Sequence, residues 1–221
     1  GLGDVYKRQV LFCVLMFVGG LSWKIIGGVL AVAVPSVLIF LSIVMQEGQT
    51  LIKDYQRNRI MAFFDPATYA DTEAYQQLNS VIAIGSGQLW GKGLNNTDIA
   101  SVKNGNFLPE SQTDFIFAII GEELGFIGSA VVILLLILIA MRCVSIARVA
   151  KDTAGMVIAA GIGALIGIQG FMNIAVATMM MPNTGLPLPF VSYGLSSLVS
   201  MYIGIGFVLN VGLQRKNLYN F

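Results

Sequence analysis

Residues 115–141 read FIFAIIGEELGFIGSAVVILLLILIAM, and this stretch decides the fold class. As one helix it is long enough to cross the hydrocarbon core of a bilayer, which is about 30 Å thick. Three further apolar runs of comparable length lie at 25–45, 153–177 and 190–213. Hydrophobic residues make up 56% of the chain and charged residues 11%, whereas soluble domains carry about 25% charge. The sequence therefore predicts an all-α, polytopic transmembrane helix bundle.

The first twenty residues fit this pattern less well. Residues 1–9 (GLGDVYKRQ) carry charges without the apolar region and cleavage site of a signal peptide. We interpret them as a remnant foreign to the protein. Residues 10–20 are apolar but too short to span a bilayer. We therefore expect a fragment in which residues 10–221 form part of a single membrane domain, with four complete spans after a partial N-terminal one.

Positive charges in the short links predict the orientation. Cytoplasmic links of membrane proteins are enriched in lysine and arginine. Such residues occur in three places that alternate correctly through the four spans: Lys24; Arg142, Arg148 and Lys151; Arg215 and Lys216. We therefore expect a multi-pass protein with a cytoplasmic C-terminus and a long polar loop, residues 46–114, on the outer face.

The composition excludes several kinds of chemistry. The chain has no histidine, which removes histidine-based triads, imidazole bases and most zinc sites. Its two cysteines are single and lie in or beside apolar stretches, as buried hydrophobes do. The net charge of +1 implies no attraction to nucleic acid. The sequence GSGQLWGKG at 85–93 is one residue too short for a P-loop and has Gly93 in place of the Ser/Thr that holds magnesium, so it predicts only a loop that presents Lys92.

Carboxylates at the end of the loop are the main candidates for chemistry. Ser111 and Asp114 have the S-x-x-D spacing of a capping box, so Asp114 has a structural interpretation as a cap of the helix that follows. It also has a catalytic one, because a rigidly held carboxylate near a helix start can accept a proton from a substrate hydroxyl. In that case Glu110 would orient Asp114 or help to bind a cation. Both interpretations stay open at this point.

Two glutamates lie further along, inside the apolar run. Glu122 and Glu123 either face the bundle interior, as intramembrane carboxylates usually do, or are solvated near the helix end. Glycines spaced four apart predict close helix packing; these pairs are Gly121 with Gly125 and Gly163 with Gly167.

The remaining candidates are cations and a turn. Arg57 and Arg59 lie on an amphipathic stretch, 51–64, and either face solvent or lipid headgroups, or clamp a diphosphate, which suits the planar fork of arginine. The sequence PLPFVSYG at 187–194 predicts a rigid turn at the outer mouth of the last span. Ser192 and Tyr193 in this turn either line a cavity or pack.

Taken together, these segments resemble the SEDS family of bacterial RodA, FtsW and SpoVE proteins. The matching pieces occur in the family's order: DYQR at 54–57 with Arg59, DP at 65–66, AIGSG at 83–87, GKG at 91–93, the block 108–125, and GLPLPFVSYG at 185–194. The blocks 108–125 and 185–194 are the most specific. The resemblance covers nearly everything after residue 10.

The resemblance implies an architecture and an activity. SEDS proteins have ten membrane helices, and this chain resembles the second half. They polymerise lipid II into the nascent peptidoglycan strand on the outer face of the cytoplasmic (inner) membrane, in cell elongation, division or sporulation. The resemblance further implies a divalent cation (Mg²⁺ or Mn²⁺), a class B penicillin-binding protein as partner, contact with membrane lipid, and no nucleic acid. We expect the fragment alone to be inactive, because half the bundle is missing.

The resemblance also suggests roles for individual residues. The family's essential aspartate falls on Asp114, and the acidic residue of the same block falls on Glu110. The basic positions that face the outer cavity fall on Arg57, Arg59 and Lys92. The sequence departs from the family at Gln112, where histidine is frequent, and at Leu195, where the family has a second glycine. Two alternatives remain: a flippase that moves lipid II, and a scaffold for a penicillin-binding protein.

Overall fold

The computed structural model describes residues 2–44, 53–94 and 112–214. Within these ranges the chain forms helices and no strand, which confirms the predicted all-α class. The helices are α1 (Leu2–Val18), α2 (Trp23–Val44), α3 (Asp54–Phe64), α4 (Tyr75–Ser86), α5 (Ile116–Arg148), α6 (Thr153–Ala177) and α7 (Leu195–Leu213).

Four of these helices are long and apolar enough to cross a membrane, and they match the four predicted spans. They are α5, α6, α7 and the Gly27–Val44 part of α2. Helix α1, with 17 residues, precedes them; that it is part of a span stays a prediction. Residues 2–9 belong to α1 and continue into its apolar part without a break; their foreign origin stays a prediction.

Helix α6 lies at the centre of the bundle. Half of its apolar, span-length segment is buried inside the protein, compared with 17% for the corresponding segments of α5 and α7 and 7% for that of α2. Glycines let the neighbouring helices approach: a Cβ atom added at Gly163 would lie 2.9 Å from Cβ of Cys143 on α5. On the α7 side, a Cβ atom added at Gly204 would lie 2.9 Å from Cδ1 of Ile162. The packing role predicted for Gly163 and the burial predicted for Cys143 are therefore confirmed. The burial predicted for Cys13 is wrong for this structure, in which that residue is exposed.

Two predicted span boundaries are wrong. Helix α5 does not end at residue 141 but continues to Arg148, because Cys143 and Ala147 extend its buried face along α6. Arg142 and Arg148 therefore belong to the helix rather than to a link. The last span begins at Leu195 and not at residue 190, because the residues before it form a turn.

The polar loop is more regular than predicted. Helix α3 matches the amphipathic stretch, but α4 was missed. Helix α4 is held by two buried polar side chains: the Gln77 amide donates hydrogen bonds to the carbonyl oxygens of Val176 (3.0 Å) and Met181 (2.8 Å), and the Ser80 hydroxyl donates to that of Ala177 (2.7 Å). Carbonyls at a helix C-terminus lack partners within their own helix. The polar residues of α4 therefore complete the end of α6 and fix the loop to the bundle.

Candidate functional site

The two sequence blocks that are most specific in the resemblance lie against each other. The Ser192 hydroxyl is 1% exposed. It donates a hydrogen bond to the Thr113 carbonyl oxygen (2.5 Å) and accepts one from the Leu188 amide (2.6 Å). The Tyr193 amide donates to the Gln112 carbonyl oxygen at 2.9 Å. The turn after α6 is thereby joined to the segment that leads into α5.

Two amides on α6 hold the same region from the opposite side. The Asn173 side-chain amide donates to the carbonyl oxygens of Asp114 (2.6 Å) and Leu186 (2.7 Å). One helical turn earlier, the Gln169 amide donates to the Pro187 carbonyl oxygen at 2.9 Å. Three segments that are distant in sequence therefore meet around Asp114: the start of α5, the middle of α6 and the turn before α7.

Asp114 itself is half-buried and lies just outside α5. The N-cap of α5 is Phe115, so the predicted capping box, which would place Asp114 inside the first helical turn, is wrong in its position. Its carboxylate lies close to the turn before α7: a Cβ atom added at Gly185 would be 3.3 Å from Oδ2 of Asp114. Gly185 has a φ of +67°, which L-residues rarely adopt. A larger residue at position 185 would adopt an unfavourable φ, and its Cβ atom would crowd the Asp114 carboxylate. Glycine avoids both effects.

The loop that follows α4 forms a second polar contact with α5. The Lys92 ammonium lies 2.8 Å from Oε1 of Glu122, whose side chain is 2% exposed. Backbone hydrogen bonds join the same two segments: the Lys92 amide donates to the Glu122 carbonyl oxygen (2.9 Å) and the Gly93 amide to that of Glu123 (3.0 Å). Of the two interpretations of Glu122, interior pairing is therefore the correct one.

This contact requires a break in α5 at Gly125, which has φ +66° and ψ −163°. The break frees the amides of Phe126 and Ile127, which donate to the carbonyl oxygens of Gln88 (2.8 Å) and Leu89 (3.2 Å). The backbone of the loop approaches so closely that a Cβ atom at Gly125 would lie 2.7 Å from the Leu89 oxygen. The close approach predicted for this glycine is confirmed, although its partner is the loop rather than another spanning helix.

The arginines of α3 lie against other helices of the bundle. The Arg57 Nε donates to the carbonyl oxygen of Val44, the last residue of α2, at 3.2 Å. Arg59 lies on the wall of an otherwise mostly apolar cavity of about 690 Å³ between α1, α2, α3 and α6, which Phe63 and Phe171 also line. Each arginine therefore lies where a polar loop meets apolar helices.

Glu73, between α3 and α4, has a pKa below its ordinary value. The main cause is a side-chain hydrogen bond with Thr72, which outweighs the desolvation that acts in the opposite direction; Asn58 and the positive charge of Arg59 contribute less. A carboxylate with a lowered pKa stabilises the fold above its unfolded-state pKa, and this contribution is lost as the pH falls through the folded-state value. The turn that carries Glu73 is thus expected to loosen in acid.

The predicted site residues do not form one cluster; they take part in separate contacts. Ser192 and the Tyr193 backbone lie with the segment of Asp114, whereas the contacts just described join Lys92 to Glu122 and place Arg57 and Arg59 on α3. Glu110 lies outside the described residues. The described residues contain no group of three metal-binding side chains, so they do not by themselves fit a preformed divalent-cation site.

Sequence reasoning missed Gln169 and Asn173. Both are 2% exposed or less and lie four residues apart in a helix that is otherwise mostly apolar. Polar side chains inside a membrane helix usually face the bundle interior and make specific contacts. This spacing on one helix face was the signal available in the sequence.

Comparison with known proteins identifies the family. A family model for FtsW, RodA and SpoVE, described as "Cell cycle protein", matches residues 2–217. The chain belongs to this family. The resemblance drawn from the sequence blocks is confirmed, and with the four apolar helices it makes the chain a multi-pass membrane protein.

Family members of known name are similar over nearly the whole chain. "Peptidoglycan glycosyltransferase MrdB" of Escherichia coli K12 is 40% identical over 204 residues, which cover 92% of this chain and 52% of the relative. "Probable peptidoglycan glycosyltransferase FtsW" of Nitrosomonas europaea is 38% identical over 218 residues, which cover 97% of this chain and 53% of the relative. The chain therefore spans about half the length of these relatives.

A solved structure of the same fold is also similar. It is described as "Structural coordination of polymerization and crosslinking by a peptidoglycan synthase complex", and it matches with a TM-score of 0.72 and 28% identity. The match covers 98% of this chain and 57% of that one. The arrangement of α1 to α7 is therefore the one found in this family.

Proposed function

We propose that the full-length protein is a peptidoglycan glycosyltransferase that polymerises lipid II into glycan strands. The observation that carries this proposal is the 40% identity to a relative named for that activity. It is supported by the hydrogen bonds that join the two family blocks around Asp114. Cell elongation, division and sporulation remain equal alternatives for its biological setting.

In the proposed mechanism, Asp114 is the general base. It accepts the proton of the acceptor sugar hydroxyl, whose oxygen bonds to the anomeric carbon of the donor sugar, while the bond from that carbon to the lipid diphosphate breaks. Its position just before the positive N-terminal end of α5 favours the ionised form that a base needs. The contacts with the turn before α7 hold the carboxylate in one place, so that less entropy is lost when it aligns with the substrate hydroxyl.

The departing diphosphate needs positive charge. In this proposal Arg57 and Arg59 supply it. Glu110 is proposed to orient Asp114 or to help bind a cation, and Ser192 and Tyr193 to shape the outer turn. Lys92 was expected to join the two arginines, but its ammonium already faces Glu122 at 2.8 Å. A divalent cation is proposed only as a companion of the substrate diphosphate, since Mg²⁺ commonly binds through one or two carboxylates plus phosphate oxygens.

The setting of the reaction is part of the proposal. The spans lie in the bacterial cytoplasmic membrane, with loop 46–114 outside and the C-terminus in the cytoplasm, so that the lipid tails remain in the bilayer. A class B penicillin-binding protein is the proposed partner. It is supported by the solved relative, whose description names a synthase complex that couples polymerisation to crosslinking.

The decisive experiment replaces Asp114 by asparagine in the full-length protein. Asp114→Asn keeps the size of the side chain but cannot accept a proton, so polymer formation from purified lipid II should fall by at least about 100-fold. Asp71→Asn, at an exposed aspartate of the turn between α3 and α4, is the matched control and should retain wild-type activity.

Three other results would point elsewhere. A folded Asp114→Asn protein that polymerises normally would overturn the assignment of the base. Wild-type protein that forms no polymer from accessible lipid II but moves it between leaflets would favour the flippase. Polymerisation that resides wholly in the penicillin-binding partner would favour the scaffold.

A further inference from the structure

We propose that Asn173 is a positioning residue for Asp114. This inference rests on the proposed function, because it assigns a part in the same reaction to a second side chain. Asn173 lies on α6, and its side-chain amide donates a hydrogen bond to the backbone carbonyl of Asp114.

The geometry places Asn173 at the junction of all three segments. Its amide nitrogen donates to the Asp114 carbonyl oxygen at 2.6 Å and to the Leu186 carbonyl oxygen at 2.7 Å. Both hydrogens of one NH₂ group are therefore used, one on each side of the site. Gly185, the neighbour of Leu186, lies close to the Asp114 carboxylate. A shift of the amide would change the separation of these two backbone segments, and with it the space around the carboxylate.

Burial makes the amide a rigid support. Asn173 is 1% exposed, so loss of its hydrogen bonds cannot be compensated by bulk water. Its side-chain oxygen has no hydrogen-bond partner among the described residues, which is costly at a buried position. A leucine or alanine would avoid that cost. The two donated bonds are therefore the feature that explains an asparagine in this helix.

Gln169 provides an internal comparison on the same helix face. It is 2% exposed and its amide donates to the Pro187 carbonyl oxygen, so it supports the same turn. Its amide donates to the turn, whereas the amide of Asn173 donates both to the turn and to the backbone of Asp114. The two residues thus separate support of the turn from support of Asp114.

The experiment compares Asn173→Asp with Gln169→Glu in the full-length protein, assayed with purified lipid II. Each change replaces an amide by a carboxyl group of the same size and removes the NH₂ donor. For Asn173→Asp we expect kcat to fall about 10-fold to 100-fold, because misplacement of a catalytic group by about 1 Å can cost this much, while KM for lipid II stays within about twofold. For Gln169→Glu we expect a clearly smaller fall in kcat per folded molecule, because its amide holds the turn and not the backbone of Asp114.

A second substitution covers the case in which Asn173→Asp does not fold. Asn173→Ser is smaller, keeps a single donor and should give an intermediate kcat. The inference is overturned if either folded Asn173 variant has wild-type kcat, or if both Asn173 variants fail to fold while Gln169→Glu folds, because the amide would then be purely structural.

A double variant distinguishes this inference from the proposed function. If Asn173 acts through Asp114, then Asn173→Asp should cause no further loss of kcat in the Asp114→Asn background, since residues that act as a unit are not additive. A normal rate for Asp114→Asn alone contradicts the proposed base. A large loss for Asp114→Asn with a further, multiplicative loss on adding Asn173→Asp contradicts only the positioning role.

Discussion

At the scale of single residues, the polar groups of this chain act mainly by joining backbone segments. Ser192 uses its hydroxyl as donor and acceptor to connect the turn before α7 with residue Thr113. Asn173 connects the same turn with Asp114. The site is therefore held by hydrogen bonds to carbonyl groups, which are strengthened by burial inside the protein because water does not compete for them.

The Lys92–Glu122 pair gives a prediction at this scale. Lys92→Met should destabilise the fold by about 3 kcal/mol, the low end for loss of one partner of a buried pair, because Lys92 keeps part of its solvent contact. Unfolding in mild detergent on addition of denaturant measures the effect. The double variant Lys92→Met/Glu122→Gln should regain part of the loss, since no uncompensated charge is then buried. Simple additivity of the two single changes would contradict a coupled pair.

At the scale of elements, the break in α5 is what allows the loop after α4 to bond to the bundle. An unbroken helix would use its own carbonyls for the amides of Phe126 and Ile127. With Gly125 in a left-handed conformation, those amides are available to Gln88 and Leu89. The amides of Phe126 and Ile127 and the carbonyls of Glu122 and Glu123 thus form four backbone hydrogen bonds to the loop, which fix α4 and the Lys92 loop beside α5.

Gly125→Ala tests this exchange. A Cβ atom would force an unfavourable φ and meet the Leu89 oxygen, so we expect a loss of stability of about 3 kcal/mol. Gly206→Ala in α7 is the matched control, because nothing lies within 4 Å of a Cβ atom there; it should be neutral or stabilising by up to about 1 kcal/mol. Thermal unfolding of both variants in the same detergent decides the matter, and equal melting temperatures would argue against the strained break.

At the scale of the whole molecule, the bundle is packed unevenly. Half of the apolar, span-length segment of α6 is buried inside the protein, whereas only 7% of that of α2 is buried. The chain spans about half the length of its relatives, so α2 presents an apolar surface that the remainder of such a protein, or lipid, is suited to cover.

The orientation is testable at this scale. In a background with Cys13→Ser and Cys143→Ala, a membrane-impermeant maleimide should label Ala67→Cys in intact cells, because the turn between α3 and α4 is expected outside. Lys151→Cys should be labelled only after permeabilisation, because the positive charges near the α5–α6 link predict a cytoplasmic position. Both sites are exposed in the fold. The reverse labelling pattern would place the loop inside and exclude an outer-face site.

Much of the architecture was determined by the sequence alone. The number of spans, the all-α class and the family follow from local properties: the length of apolar runs, the scarcity of charge and the blocks at 108–125 and 185–194. Two predictions made from local properties were wrong. The Ser111–Asp114 spacing suggested a capping box, but α5 begins at Ile116, and the polarity of loop 46–114 concealed α4.

Only the tertiary structure decided which distant residues meet. Asn173 reaches a carbonyl 59 positions away, and Lys92 pairs with a carboxylate 30 positions away. Such contacts depend on how α6 crosses α5 and on the break at Gly125, and neither is set by the composition of a single segment. The sequence therefore identified Asp114 as the residue of interest, whereas the packing of three separate segments determined what holds it in place.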